Sequence, residues 1–145
     1  MAKKYIKILT KNDTGETGGH QAGIAVPKSN KELLSFFPKL DLSEFNPDEW
    51  ITCIDEDGEK WQFRFIYYNG KTFTPPMSTR NEYRLTHMTK FFAKWAARSE
   101  DELILTQTES EGVYKITVNK NSALKQSSFG DGKKPVVLRG WISVY

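Results

Sequence analysis

Two segments of mostly alternating apolar residues, joined by a short acidic turn, constrain the fold of this chain more than any other feature. The segments are residues 50–54 and 61–68, and Asp57-Gly58 lies between them. An Asp-Gly step between such segments is a hairpin signal, because the turn needs residues that accept a positive φ. Side chains alternate along a strand, so the second segment collects four aromatic rings on one face: Trp61, Phe63, Phe65 and Tyr67. The pattern predicts a β-hairpin whose aromatic face covers a core.

Other short segments of the chain also have strand character, and turn-forming residues separate them. They are residues 4–9, 23–26, 85–88, 103–106, 113–118, 136–138 and 141–145. Together with the hairpin they make about seven or eight strands. Strands this short and this regularly spaced favour a small β-barrel.

Two short helices are expected to interrupt the strands. Ser29-Asn30-Lys31-Glu32 is a capping-box pattern, and it predicts a helix that ends at Pro38. Residues 89–98 contain aromatic residues at helical spacing, which predicts the second helix. We expect the loop at 40–47 to insert Leu42 and Phe45 into the core.

Length and composition indicate one folded domain that needs no disulfide. The chain has 145 residues, of which 38% are hydrophobic and 13% aromatic, so disorder is not expected. It has no apolar run near the ~20 residues of a membrane span, and its first lysines are not followed by the apolar core of a signal peptide. The single cysteine, Cys53, lies between isoleucines and is expected to be buried. We therefore expect a cytoplasmic protein with no membrane partner.

The charges are divided along the chain, although the net charge is only +3. Residues 41–59 carry eight acidic groups and no lysine or arginine, whereas residues 60–98 carry eight basic groups and one acidic group. A molecule with one acidic and one basic sector can orient itself on a polyanion. Alternatively, acidic and basic side chains could alternate on the folded surface and serve only to make the protein soluble.

The sequence offers little support for catalysis or for a metal site. His20 and His87 are far apart and have no Cys or Glu at ligand spacing. Residues 15–23 are glycine-rich but lack the Gly-Lys-Ser/Thr ending of a phosphate-binding loop. We expect no cofactor for binding and no catalytic residue, and His87 is expected to be structural. A small metal-dependent nuclease stays as an alternative, although it needs a carboxylate pair that is not apparent.

One polar segment contains side chains suited to DNA bases. In an extended conformation Arg80, Glu82 and Arg84 fall on one face. Arginine can donate two hydrogen bonds to guanine, and glutamate can accept one from cytosine. The same row could also be a surface ion-pair ladder of little energetic value. Further alternatives are a protein-interaction barrel and a non-specific nucleic-acid-binding barrel that stacks the bases of single strands on the hairpin aromatics, but the alternation of those rings favours a core.

Two blocks of the sequence resemble the N-terminal effector domain of EcoRII-type restriction endonucleases. The first is residues 4–9 followed by Asn12-Asp13-Thr14-Gly15-x-Thr17-Gly18-Gly19-His20-Gln21-x-Gly23-Ile24. The second is Tyr67-Tyr68-Asn69 with Thr79-Arg80-Asn81-Glu82-x-Arg84. The resemblance implies a mainly β fold, a seven-stranded open pseudobarrel with two short α-helices, similar to the B-three DNA-binding domain of plants.

The resemblance also implies a function and a set of site residues. Residues 1–145 would be a single non-catalytic domain that binds double-stranded DNA, with CC(A/T)GG as the expected site. It would regulate a fused C-terminal catalytic domain, to which any Mg²⁺ would belong. Two loops would enter the major groove, an N-arm at residues 10–21 and a C-arm at residues 74–84. The implied N-arm contacts are Lys11, Asn12, Asp13, Thr14, His20 and Gln21. The implied C-arm contacts are Ser78, Thr79, Arg80, Asn81, Glu82, Tyr83 and Arg84.

Some positions are assigned by charge, or depart from the family pattern. Lys11 and Lys28 are candidate phosphate contacts because of their charge alone. The family pattern has Tyr at Ala25 and Lys at both Ser78 and Tyr83. The loss of two cations from the C-arm is expected to weaken the attraction to phosphates and to flatten the salt dependence of binding. We expect Tyr83 to stack on the DNA or to contact a sugar instead.

Overall fold

Eight short strands and three short helices make up the described part of the chain. The computed structural model of the protein describes residues 3–16, 22–120 and 140–144. The strands are β1 Lys4–Ile8, β2 Ile24–Val26, β3 Asp48–Ile54, β4 Lys60–Tyr68, β5 Glu82–Thr86, β6 Glu102–Gln107, β7 Val113–Asn119 and β8 Trp141–Val144. The helices are α1 Lys11–Thr14, α2 Lys31–Phe36 and α3 Thr89–Lys94, and Gly70–Thr72 forms a 3-10 turn.

The eight strands form one curled sheet in the order β2-β5-β4-β3-β7-β6-β1-β8. The β3–β7 pair is parallel, and the other pairs of this sheet are antiparallel. Within the described residues no ladder joins the edge strands β2 and β8. They approach each other all the same, because the Trp141 indole donates to the Ala25 carbonyl at 3.0 Å. The predicted mainly β, open pseudobarrel is therefore confirmed, with one strand and one helix more than expected.

The aromatic face of the hairpin covers the core, as the alternation predicted. Phe63 and Phe65 are fully buried, and Phe37 stacks on Phe65 with ring centroids 4.7 Å apart. Cys53 is buried in the same cluster, and burial raises the pKa of its thiol. The rings that a single-strand-binding barrel would use for stacking are thus occupied by the core.

The 40–47 loop does not insert its apolar side chains into the core, so that prediction is wrong. Leu42 and Phe45 are 53% and 46% exposed. The buried side chain of Asn69 holds the loop by its backbone instead: its amide nitrogen donates to the Glu44 carbonyl at 2.7 Å, and its amide oxygen accepts from the Asn46 amide at 2.8 Å. With the backbone facing inward, the side chains face outward.

Both predicted helices form, but their ends differ from the predictions. Asn30, not Ser29, caps α2, because its side chain accepts from the Leu33 amide at 3.1 Å. The second helix, α3, ends at Lys94, since Ala96 has a φ of 50° and leaves the helical region. Among the described residues no helix is long and apolar enough to cross a membrane. The predicted strand at 136–138 lies outside the described residues.

A buried carboxylate joins α3 to the turn of the hairpin. Asp55 accepts from Lys94 at 2.7 Å and from the indole nitrogens of Trp61 and Trp95 at 2.9 and 3.2 Å. Burial alone would raise the pKa of Asp55, but hydrogen bonds from Lys94, Trp61, the Glu59 amide and Trp95 together hold it well below its usual range. This cluster fixes α3 against the sheet.

Candidate nucleic-acid interface

The side of β4 and β5 that faces away from the core carries the polar residues of the site. Arg64 on β4 pairs with Thr86 on β5, and Tyr68 pairs with Glu82. Because side chains alternate, Glu82, Arg84 and Thr86 share this outer face, as the sequence predicted for the first two. Their neighbour Leu85 is fully buried on the core side.

A concave groove of about 420 Å³ lies on this outer face. Its lining comes from the N-arm, the C-arm and the strands between them: Asn12, Arg64, Tyr68, Arg80, Arg84, Thr86 and His87. Three of these residues are arginines and none is acidic. The structure therefore brings residues more than 50 positions apart in sequence into one basic groove.

Backbone hydrogen bonds and close packing hold the C-arm over the 3-10 turn. The Lys71 amide donates to the Arg80 carbonyl at 3.1 Å, and the Met77 amide donates to the Gly70 carbonyl at 2.9 Å. Ser78 lies so close to Gly70 that a Cβ atom on that glycine would be 2.3 Å from the serine Oγ. The arm is thus anchored at its base, whereas Ser78 and Thr79 themselves are exposed.

Arg80 is oriented by two neighbours that leave it accessible. Its guanidinium is 2.7 Å from a Glu82 carboxylate oxygen and 3.6 Å from the centre of the Tyr68 ring. The side chains of Arg80 and Glu82 are 47% and 41% exposed. Arg84 donates to the Gly23 carbonyl at 3.3 Å and is half-buried. In the predicted row, Arg80 and Glu82 therefore form an ion pair with each other, and Arg84 is held separately beside the start of β2.

The remaining C-arm residues contribute to the support of the arm. Asn81 accepts a hydrogen bond from the Tyr67 hydroxyl. Tyr83 stacks on Tyr67 with ring centroids 4.3 Å apart and on Phe65 at 5.6 Å. Burial, with a contribution from Tyr67, raises the pKa of the Tyr83 phenol. Tyr83 therefore lies on the core side of β5, on the face opposite the groove, and its contact with DNA stays a prediction.

The start of the N-arm is a single helical turn fixed by a buried ion pair. Thr10 Oγ1 accepts from the Asp13 amide at 3.1 Å, and the Asp13 carboxylate accepts from the Thr10 amide at 3.0 Å, which forms a capping box. The same carboxylate is 2.9 Å from Lys7 Nζ, and both side chains are buried. The Thr10–Asp13 spacing was the sequence signal for α1, in a segment that was expected to be a loop.

The other predicted N-arm residues lie in different surroundings. Asn12 lines the groove, and Lys11 is exposed beside it in α1. The Thr14 hydroxyl donates to Glu16 at 2.6 Å, and the Ser99 amide donates to the same carboxylate at 2.8 Å. These bonds lower the pKa of Glu16 and attach the arm to the segment after α3. Lys28 is exposed beyond β2, whereas His20 and Gln21 lie outside the described residues.

The structure adds four lining residues that were not predicted as site residues. They are Arg64, Tyr68, Thr86 and His87. The alternation of β4 already placed the first two on the face away from the aromatic core, so this signal was present in the sequence. His87 was expected to be structural, but it is exposed, and its φ of 69° turns it out of the strand. Among the described residues no group of three or more His, Cys, Asp or Glu side chains is placed to hold a metal ion.

Comparison with known families identifies the chain. Residues 1–109 match the family model described as "Restriction endonuclease EcoRII, N-terminal". The chain belongs to this family. The "Type II restriction enzyme EcoRII" of Escherichia coli is 42% identical over 85 residues, which is 57% of this chain and 20% of that protein. This member of the EcoRII N-terminal family therefore spans about one fifth of that relative's length.

Plant proteins share both sequence and fold with this EcoRII N-terminal domain. "Auxin response factor 3" of Oryza sativa subsp. japonica is 27% identical over 138 residues, or 92% of this chain and 17% of that protein. Among solved structures, the "Arabidopsis FUS3-DNA complex" superimposes with a TM-score of 0.59 at 22% identity, and the match covers 81% of this chain and 96% of that one. The "Arabidopsis thaliana transcription factor LEC2-DNA complex" gives a TM-score of 0.57 at 19% identity, with 84% and 97% covered. These likenesses agree with the open pseudobarrel.

Proposed function

We propose that this domain binds double-stranded DNA in a sequence-specific manner, with the groove between the N-arm and the C-arm as its contact surface. The observation that carries the proposal is the lining of that groove, where Asn12 of one arm faces the same space as Arg80 of the other. Family membership supports it, because the matched relative is a restriction enzyme. So does the fold, since two solved structures with this fold are DNA complexes.

The chemistry of the exposed row fits the edges of G·C base pairs. A guanidinium can donate to guanine O6 and N7, and a carboxylate can accept from cytosine N4. The Arg80–Glu82 pair is exposed, so the exchange of its mutual hydrogen bonds for bonds to bases costs little. Tyr68 beneath Arg80 limits the rotation of the guanidinium. CC(A/T)GG, which contains such base pairs on both sides of its centre, is the proposed site.

We propose that catalysis lies elsewhere in the polypeptide. Residues 1–145 act as one effector domain that regulates a fused C-terminal nuclease domain in the cytoplasm. Mg²⁺ belongs to that second domain, and DNA binding by this one does not need it. Lys11 and Lys28, both exposed, are proposed to approach phosphates at the rim of the interface.

Fluorescence anisotropy tests this function directly. A CC(A/T)GG duplex and a scrambled duplex are titrated without Mg²⁺ at two salt concentrations. We expect preference for the first by several kcal/mol. Arg84→Ala should remove about 1–3 kcal/mol of binding free energy on the cognate duplex and much less on the scrambled one. The exposed Leu42 on the 40–47 loop supplies the control variant, Leu42→Ala. Equal, salt-sensitive affinity for both duplexes would reduce the function to non-specific binding.

A further inference from the structure

An exposed aromatic residue stands next to the groove on the strand that follows it in the sheet. All four tryptophans lie in the described residues, and Trp50 alone is exposed, at 51%, while Trp61 and Trp95 are half-buried and Trp141 is buried. Single exposed apolar side chains are common on protein surfaces, but tryptophan combines a large apolar ring with a polar N–H group and is enriched at contact surfaces. Its position in the sheet determines which surface that is.

Trp50 belongs to a row of residues that crosses three strands on the outer face. It pairs with Arg64 on β4, which in turn pairs with Thr86 on β5. His87 follows Thr86, and its ring centroid lies 4.9 Å from that of the Trp50 ring, at an angle of 60°. Three members of this row, Arg64, Thr86 and His87, line the groove. Trp50 therefore extends the groove at the end opposite Tyr68 and the C-arm.

His87 is held in place by its backbone and by a hydroxyl group. Its φ of 69° is unusual for a residue with a side chain and directs the ring away from the β5 ladder. The next residue, Met88, donates its amide to the Ala22 carbonyl at 3.2 Å, which ties this corner to the start of β2. The Thr86 hydroxyl lies 2.9 Å from His87 Nδ1, and in the tautomer in which this hydroxyl donates to Nδ1, Nε2 carries the ring proton and can donate to a ligand.

The groove that adjoins the row is lined by Arg80 and Arg84 as well as Arg64 and by no acidic residue, which favours a polyanion as the ligand. Arg64 lies between Trp50 and the floor of the groove, and Asp48 pairs with it at 2.6 Å. This acidic group offsets part of the charge of Arg64, but both side chains are about one-third exposed, so the pair can separate at little cost. The two rings together suit a sugar-phosphate strand. The His87 imidazole can donate to a phosphate oxygen, and the Trp50 indole can cover the apolar surface of a deoxyribose.

We propose that Trp50 and His87 form a second contact of this domain with duplex DNA, on the sugar-phosphate backbone beside the recognised base pairs. His87 Nε2 donates to a phosphodiester oxygen, while the Trp50 ring packs on the adjacent deoxyribose. The inference rests on the proposed function, because it places the DNA axis along the same groove. Backbone contacts carry no direct sequence information, so this site contributes affinity and not specificity.

The test compares duplexes of two lengths with variants at the two positions. A short cognate hairpin whose duplex ends at the recognised base pairs lacks the flanking sugar-phosphate backbone, whereas a duplex of about two helical turns includes it. Trp50→Ala removes the ring, and Trp50→Phe keeps an aromatic surface. His87→Asn removes the imidazole with a residue that tolerates a positive φ. Leu42→Ala is again the exposed control, and thermal melting checks that each variant is folded.

We expect Trp50→Ala and His87→Asn each to weaken binding to the longer duplex by about tenfold. The loss should be the same on a scrambled duplex of that length, so that the ratio of cognate to scrambled affinity stays constant. The short hairpin without flanking backbone should show little change, and Trp50→Phe should retain most of the affinity for the longer duplex. A direct contact should also shift the tryptophan emission of the wild type on binding, and Trp50→Phe should remove this shift.

Two results would overturn the inference. One is wild-type affinity of both variants for the longer duplex, together with an emission shift that persists in Trp50→Phe. The other is a loss confined to the cognate sequence, which would make these residues base contacts. If the wild type itself fails to prefer the cognate duplex, the proposed specificity fails, while a uniform loss in the variants would still establish the backbone contact. If DNA leaves the Trp50 emission unchanged, a protein partner becomes the better occupant of this surface.

Discussion

The two arms each contain an ion pair of nearly the same length in opposite surroundings. Lys7 and Asp13 at the N-arm are 2.9 Å apart and buried, whereas Arg80 and Glu82 at the C-arm are 2.7 Å apart and almost half exposed. A buried pair cannot separate without leaving an uncompensated charge, but an exposed pair exchanges readily with water or with a ligand. The first pair therefore fixes the position of an arm, and the second is available for recognition.

The sequence predicted the same role for members of both pairs. Asp13 and Glu82 were both expected to contact DNA, because both lie in blocks that resemble the family. Burial distinguishes them: the Asp13 carboxylate already accepts from Lys7 and from the Thr10 amide. We therefore assign Asp13 as a positioning residue for the N-arm, a proposal that the following variants test.

The largest effect is expected from breaking the buried pair. Asp13→Ala leaves Lys7 charged and without its carboxylate in a buried site, so the free energy of unfolding should fall by about 3–5 kcal/mol. Urea denaturation measures this loss. The double variant Lys7→Met/Asp13→Leu, which removes both charges, should regain much of it. A loss below about 1 kcal/mol in Asp13→Ala would contradict the anchoring role and return Asp13 to the candidates for DNA contact.

Asp55 is a second buried carboxylate, and it belongs to neither arm. It therefore tests whether a buried carboxylate outside the arms affects stability without affecting DNA binding. Asp55→Asn weakens hydrogen bonds from Lys94 and two indoles, and should cost about 2–3 kcal/mol of stability. The folded pKa of Asp55 lies below its unfolded value near 4. Its contribution is therefore complete above about pH 5 and is lost as the pH falls through the folded pKa. Stability of the wild type should decline more steeply between pH 5 and pH 3 than that of Asp55→Asn.

The control for this prediction is DNA affinity. Asp55 does not line the groove, so the folded fraction of Asp55→Asn should bind the cognate duplex as the wild type does. Equal acid sensitivity of the wild type and the variant would show that other carboxylates dominate the pH dependence. A changed affinity would mean that the attachment of α3 affects the arms.

Much of the fold follows from local sequence patterns, whereas the composition of the groove depends on register. Alternation in residues 61–68 placed Phe63 in the core and Arg64 on the opposite face, and the structure agrees. The hairpin of β3 and β4 was predicted, but the pairing of β5 with β4 depends on tertiary packing, so the sequence did not indicate that Trp50, Arg64 and Thr86 form one row. The positive φ of His87 depends on the same tertiary context, which is why its exposure was missed.

The exposed pair should respond in the opposite way to the buried one. Arg80→Ala should change the free energy of unfolding by less than about 0.5 kcal/mol, because exposed pairs contribute little. It should nevertheless cost about 1–3 kcal/mol of binding to the cognate duplex. Arg80→Lys keeps the charge but not the two parallel donors, so it should recover non-specific affinity and not specificity. If Arg80→Ala lowers stability and leaves binding intact, the pair is structural and the distinction between the arms fails.

The smallest effect concerns the anchoring of the C-arm itself. Gly70→Ala would place a Cβ atom 2.3 Å from Ser78 Oγ and 3.0 Å from both the Cβ and the backbone nitrogen of Ser78. The arm must shift outward, which should cost about 1 kcal/mol of stability and a similar part of the cognate binding energy. Gly70→Ala/Ser78→Ala removes only the closest of these contacts and should therefore recover only part of the loss. If Gly70→Ala binds like the wild type, the base of the C-arm adapts to the added methyl group. Recognition of the cognate duplex would then depend more on the side-chain mobility of Arg80 than on a fixed backbone position of the C-arm.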